Sequence, residues 1–163
     1  MEPELLETLY RTYARELTIY LYSLCRDREL AEDLVQDVFL KALLSLDERH
    51  PNFRAWLYQV GKNLCLNEMK KQKHVHWQSQ QESQSSDSVL SLLLRQEENQ
   101  VLFDALFTLP PLHRELLTLQ YFSGIPQKEI AQILNLSPGN VRIIAHRARK
   151  ELKKRLEAQG YVR

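Results

Sequence analysis

Glycine is scarce in this chain, with four among 163 residues, and proline numbers six. That is too little turn chemistry for an architecture of many short strands. Leu, Ala, Glu, Gln, Lys and Arg dominate instead, and all are good helix formers. The expected fold class is therefore all-α. Cysteine is rarer still. Cys25 and Cys65 lie far apart in apolar helical stretches and read as reduced core thiols, with a disulfide or a nucleophile as alternatives. No apolar run is long enough to span a membrane, and the acidic start Met1-Glu2-Pro3-Glu4 is unlike a signal peptide. The expectation is a cytoplasmic protein with no direct membrane insertion.

Catalytic patterns are missing as well. Serines cluster without a His or Asp at defined spacing, and no Gly-rich loop could cradle a phosphate. Neither an enzyme nor a cofactor is expected. His74 and His76 stand beside a cysteine-bearing helix, but two histidines without further ligands do not make a zinc site. No metal is expected.

Net charge is small, at +1, yet unevenly spread. Residues 1–48 hold five Lys/Arg against eleven Asp/Glu, and residues 49–76 hold six against one. Residues 77–141 hold three against seven, and residues 142–163 hold eight against two. Two basic blocks suggest two nucleic-acid contacts. The acidic blocks suggest a basic protein partner.

Helical periodicity organises the chain. Leu5, Leu6, Leu9, Tyr13, Leu17, Tyr20, Leu21 and Leu24 predict one helix, and Arg26-Asp27-Arg28 breaks it. Leu30, Ala31, Leu34, Val35, Val38, Phe39, Ala42 and Leu43 predict a second, with Glu32, Asp33, Gln36, Asp37 and Lys41 on the opposite face. A polar loop over 47–52 precedes a third helix over 53–71, whose end, Lys70-Lys71-Gln72-Lys73, is basic. Residues 74–88 form a Gln/Ser tract that cannot bury a core. A helix resumes near Val89 and is stopped by Leu109-Pro110-Pro111. Another is predicted from His113 to Phe122, ended by Ser123-Gly124. The expected organisation is a small helical domain over 1–73, a flexible linker over 74–90 and a second helical domain over 91–163.

Residues 127–149 carry the most specific pattern. Ile130, Ala131 and Leu134 form the apolar face of a helix, with the small Ala131 where a second helix would cross. Asn135 suits a turn that needs positive φ. Leu136 fills the space between the helices. Ser137-Pro138 is a strong helix start, a capping hydroxyl followed by a residue preset for the first turn. Val141 and Ile144 point inward, leaving Asn140, Arg142, His146, Arg147 and Arg149 mostly outward. Such a unit places its second helix in a DNA major groove.

Four stretches together resemble the extracytoplasmic-function (group IV) sigma factors of bacterial RNA polymerase. They are Ala31 to Phe39, Phe53-Arg54-Ala55-Trp56-Leu57 with Asn63, Leu109-Pro110-Pro111 with Arg114, and Ser137 to Lys150. The resemblance covers the chain except the linker and implies a sigma-2 domain, then a sigma-4 domain. It implies that the second helix docks on the clamp helices of the polymerase's largest subunit through Asp33, Gln36, Asp37, Phe39 and Lys41. It implies that the loop and third helix read the minus-ten element and capture a flipped base. The candidates there are Arg49, Asn52, Phe53, Trp56, Asn63, Asn67, Lys70 and Lys71. Phe53 and Trp56, at helical spacing, also fit a core role. Relatives commonly carry Arg where Lys70 and Lys71 stand; lysine lacks the planar fork, so these two are assigned to phosphate.

The last helix pair then reads the minus-thirty-five element through Ser137, Gly139, Asn140, Arg142, His146, Arg147, Arg149 and Lys150. Arg142 suits guanine, while Arg147, Arg149 and Lys150 suit the backbone. Where Ile143 and Ile144 stand, many relatives show a polar residue and then a basic one, so a phosphate contact is lost. The linker, with only Glu82 and Asp87, is a weak charge mimic of nucleic acid. The implied partners are core RNA polymerase (clamp helices and flap region), promoter DNA and an anti-sigma factor, often membrane-tethered. A free-standing helix-turn-helix regulator is the rival reading. It accounts for 127–150 but not for the acidic helix or the first basic block.

Overall fold

The computed structural model describes residues 2–45, 51–74 and 97–160. The chain divides into two compact units, Met1–Ser85 and Ser86–Arg163. Seven helices and no strand occur among the described residues. Arg49, most of the Gln/Ser tract and the expected helix start near Val89 lie outside them. None of the described helices is long and apolar enough to cross a membrane.

The first unit packs α1 (Pro3–Cys25), α2 (Arg28–Ser45) and α3 (Phe53–His74) against one another. Pro3 opens α1 at a position where its missing N–H costs nothing. Arg26 ends it with φ 56°, and its N–H donates to Tyr22 O at 2.8 Å. Asp27 then caps α2: its Oδ1 accepts from Leu30 N–H at 3.1 Å and its carbonyl from Ala31 N–H at 3.0 Å. The polar break is thus one residue that stops a helix and one that starts the next. Leu17, Tyr20, Leu21, Leu34, Val35, Val38, Ala42, Leu57 and Tyr58 form the core. Each fully buried aliphatic side chain contributes roughly 1.5–3 kcal/mol. Gly61 lets α3 come close to α1, since a Cβ there would lie 3.3 Å from Leu17 Cδ1 and from Leu21 Cδ2.

The same closeness brings the cysteines together. Cys65 is fully buried, but Cys25 is only partly so, and both are free. Their thiols lie within hydrogen-bonding reach of each other, a pairing that sequence distance conceals.

The second unit holds α4 (Glu97–Phe107), α5 (Pro111–Tyr121), α6 (Gln127–Leu134) and α7 (Pro138–Ala158), with α7 packed on each of the other three. Pro110-Pro111 acts twice. It ends α4 and also begins α5, with Pro111 in the first turn, so α5 starts two residues earlier than periodicity indicates. Phe103 stacks on Phe122 at 4.7 Å between centroids, and the Arg114 guanidinium lies 5.3 Å over the Phe107 ring. Gly124, at φ 65°, turns the chain after α5 so that Ile125 N–H reaches Leu119 O at 3.0 Å. α7 runs beyond Lys150 to Ala158 because no breaker intervenes before Gly160.

Candidate nucleic-acid and protein interfaces

Helical spacing on α2 places Asp33, Gln36, Asp37 and Lys41 along one exposed stripe. Leu40 and Leu44 complete it, 54% and 77% exposed. Neither leucine was among the candidates, although both fall off the buried period set by Leu34, Val35, Val38 and Ala42. Phe39 requires a correction. It is 4% exposed, and its ring meets Tyr10 edge-on at 5.0 Å. It holds α2 on α1 from behind the stripe, so its side chain cannot reach a partner. The surface that remains has a carboxylate end and an apolar end.

At the start of α3, Asn52 is exposed while Phe53 and Trp56 are half-buried. The two rings are near parallel, 17° apart with centroids 6.4 Å apart, and Tyr13 supports Phe53 at 6.1 Å. Neither aromatic belongs to the core. They form a partly exposed aromatic shelf, the type of surface on which a base can stack. Further along, Asn63, Asn67, Lys70 and Lys71 are all exposed at i, i+4, i+7 and i+8. An amide end thus passes into a cationic end on one side of the helix. The expected Arg49 lies outside the described residues, so the loop side of the shelf is not described.

In the second unit the helix-turn-helix forms as its residues require. Ile130 and Ala131 are buried, and so is Ile133, which the sequence reading left out; Leu134 is half-buried. Asn135 adopts φ 57°, ψ 47°, and its successor's N–H, that of Leu136, donates to Ala131 O at 2.9 Å. Ser137 Oγ accepts from Asn140 N–H at 3.1 Å and Val141 N–H donates to Ser137 O at 3.0 Å; Pro138 has no N–H, so Gly139 holds the one first-turn N–H of α7 without a helical acceptor. Val141, Ala145 and Ala148 anchor α7 inside. Asn140, Arg142, His146, Arg147 and Lys150 are exposed, Gly139 and Arg149 partly so. Ion pairs on α7 lie toward its far end, Arg155 Nε–Glu151 Oε1 at 3.3 Å and Lys153 Nζ–Glu157 Oε1 at 4.0 Å. The first turns therefore present a helix N-terminus and unopposed arginines, a combination that attracts phosphate.

An apolar cavity of about 240 Å³ opens elsewhere on this unit, lined by Leu102, Leu106, Leu117, Tyr121, Phe122 and Leu152. Tyr121 is 57% exposed at its rim.

Comparison with known proteins agrees with this layout. Residues 9–75 match sigma-70 region 2, and residues 100–152 match sigma-70 region 4. The ECF RNA polymerase sigma factor SigM of Bacillus subtilis (strain 168) is 30% identical over 158 residues, covering 91% of this chain and 93% of that protein. The RNA polymerase sigma factor YlaC of the same strain is 33% identical over 160 residues, covering 93% and 91%. Among solved structures, the sigma factor RpoE in complex with the anti-sigma factor NepR from Bartonella quintana is 25% identical with a TM-score of 0.69, covering 93% of this chain and 96% of that one. CnrH, in complex with the cytosolic domain of CnrY, gives 26% and 0.69, covering 96% and 90%. A free-standing regulator has no use for a region 2 unit, and that reading falls. The chain belongs to the ECF RNA polymerase sigma factors.

Proposed function

We propose that the two units of this sigma factor divide promoter recognition, residues 1–73 docking on core polymerase and reading the minus-ten element, residues 91–163 reading the minus-thirty-five element. The observation that carries this is α7. Its Ser137-capped start and exposed Asn140, Arg142, His146 and Arg147 form a polar, cationic face on a three-helix support, which suits base reading and phosphate binding.

On the first unit, Asp33, Gln36, Asp37 and Lys41 meet the polymerase clamp helices, and Leu40 and Leu44 supply the apolar part of that contact. Asn52, Phe53 and Trp56 receive an unstacked base; Asn63 and Asn67 lie against the strand, and Lys70 and Lys71 against phosphates. On the second unit, Arg142 contacts a guanine edge while Arg147, Arg149 and Lys150 hold the backbone. The apolar cavity around Tyr121 is the place for the polymerase flap. The protein works in the cytoplasm, where polymerase is.

An anti-sigma factor controls it. Support comes from RpoE, which was solved with such an inhibitor and whose fold this chain shares.

Fluorescence anisotropy of the labelled protein against core polymerase, with and without promoter DNA, tests the division of labour. Paired substitution of Asp33 and Gln36 by Ala is expected to weaken core binding at least about ten-fold, a loss of roughly 1.4 kcal/mol. Paired substitution of Lys70 and Lys71 by Ala should leave core binding intact and weaken only promoter binding by the holoenzyme. Core binding insensitive to Asp33 and Gln36 would refute the docking assignment.

A further inference from the structure

Ile143 and Ile144 are adjacent in the chain, but the fold treats them differently. One step along a helix rotates a side chain by about 100°. Ile144 is half-buried and leans toward the interior side of α7, where Val141, Ala145 and Ala148 are buried. Ile143 is 51% exposed. A single exposed isoleucine means little by itself; its surroundings give it meaning. Gly139 and Asn140 lie one turn before it, and His146 and Arg147 one turn after, at i−4, i−3, i+3 and i+4. Asn140, His146 and Arg147 are exposed. Gly139 has open space where a side chain would stand, with no atom within 4 Å of a Cβ built there. Ile143 is thus the apolar centre of a polar and cationic face, beside a point where α7 can approach a ligand closely.

That face is the one assigned above to the major groove, and the inference rests on that assignment. Among the four bases, only thymine presents an apolar group in this groove, its 5-methyl. An isoleucine makes no hydrogen bond, and placed on any other base edge it would strip water from polar atoms without replacing it. We propose that Ile143 is a specificity-determining residue, selecting thymine at one position of the minus-thirty-five element through its 5-methyl group.

Deoxyuridine scanning tests this with the full chain bound to core polymerase. A promoter is first isolated from genomic fragments by run-off transcription. Each thymine of its minus-thirty-five element, on either strand, is then replaced by deoxyuridine, which removes the methyl and keeps every hydrogen-bonding group. At one position the replacement should weaken promoter binding about four-fold, the factor for one buried methyl-sized group. With Ile143→Ala that sensitivity should vanish, while Ile143→Val should retain most of it. Core binding should be unchanged in both variants, since the position is exposed and alanine is a better helix former.

An element without thymine on either strand, or a wild-type protein indifferent to every deoxyuridine, would overturn the proposal. So would a deoxyuridine effect that persists in Ile143→Ala. Arg142→Ala separates this from failure of the underlying assignment. If it weakens promoter binding while deoxyuridine does nothing, only the thymine inference is lost. If it too has no effect, α7 is not the reader.

Discussion

At the corner between α6 and α7, Asn135 and the Ser137 cap set the backbone course. Asn135 sits in left-handed space at φ 57°, where a β-branched residue is strained. Asn135→Val should cost about 1–2 kcal/mol, and Asn135→Gly should be nearly neutral. Hydrogen exchange of α6 and α7 amides would read the valine variant as a roughly five- to thirty-fold loss of protection. Equal protection in the two variants would show that the turn does not depend on this conformation.

Cys25 offers a second residue-scale test. The Cys65 hydrogen bond holds its thiol below the usual range and outweighs burial, which pushes it up. Cys65 has a single proton and three acceptors in reach: Leu21 O at 4.0 Å, Met69 Sδ at 3.9 Å and the Cys25 sulfur. Once Cys25 ionises, the charged acceptor takes it. A lowered pKa means more thiolate at neutral pH, so the alkylation rate of Cys25 should reach half its maximum at lower pH than that of free cysteine. Cys65→Ala should move that midpoint upward. An unmoved midpoint would mean that the hydrogen bond does not set the reactivity. The pairing was not legible beforehand, because spacing along the chain says nothing of which turns of α1 and α3 meet.

Single helices were the most legible level. The periodicities of α1, α2 and α3 are local, and Leu17, Tyr20, Leu21, Leu34, Val35, Val38, Ala42 and Leu57 are buried as spacing indicates, whereas Leu5 is exposed and Ile19 and Tyr58 are buried off the expected faces. Errors arose where neighbouring elements decide. Phe39 belongs to the inward period of α2, yet its position in the family pattern put it among the polymerase contacts; Tyr10, contributed by α1, claims its ring. Leu40 and Leu44 fall off the inward period of α2 and were open to recognition as surface residues, but as apolar residues they were passed over for the charged positions beside them. Helical spacing already turned Ile144 inward with Val141, and the packing of α7 leaves Ile144 half-buried and Ile143 exposed.

The same comparison yields opposite expectations for two residues of α2. Phe39→Ala should destabilise the first unit by about 3–5 kcal/mol, as large-to-small core changes do. Leu44→Ser should leave thermal stability unchanged within about 0.5 kcal/mol while weakening core binding several-fold. Reversed results would place Phe39 at the interface and Leu44 in the fold. On α3, removing Lys70 and Lys71 should reduce the log–log salt slope of promoter binding by roughly 0.7–0.9 per lysine. An unchanged slope would mean that these lysines do not contact phosphates.

For the whole molecule, a net charge of +1 conceals a division of roles. The acidic stretch containing α2 suits a protein surface, and the basic ends of α3 and α7 suit DNA. Each basic face is short, so each unit alone is expected to bind DNA weakly. Tight and selective promoter binding then requires polymerase to engage both units at once, which multiplies their separate affinities. Domain order and fold class were readable from four anchor stretches in sequence. Promoter sequence was not, because base choice depends on which α7 side chains reach which base edges in a complex.

Run-off transcription tests the central claim most directly, using purified bacterial core polymerase free of other sigma factors, this protein and a library of genomic fragments. The account predicts discrete transcripts that require the protein and disappear when Asp33 and Gln36 are both replaced by Ala. Fragments retained by the protein alone, with no transcript formed in the presence of core polymerase, would contradict it.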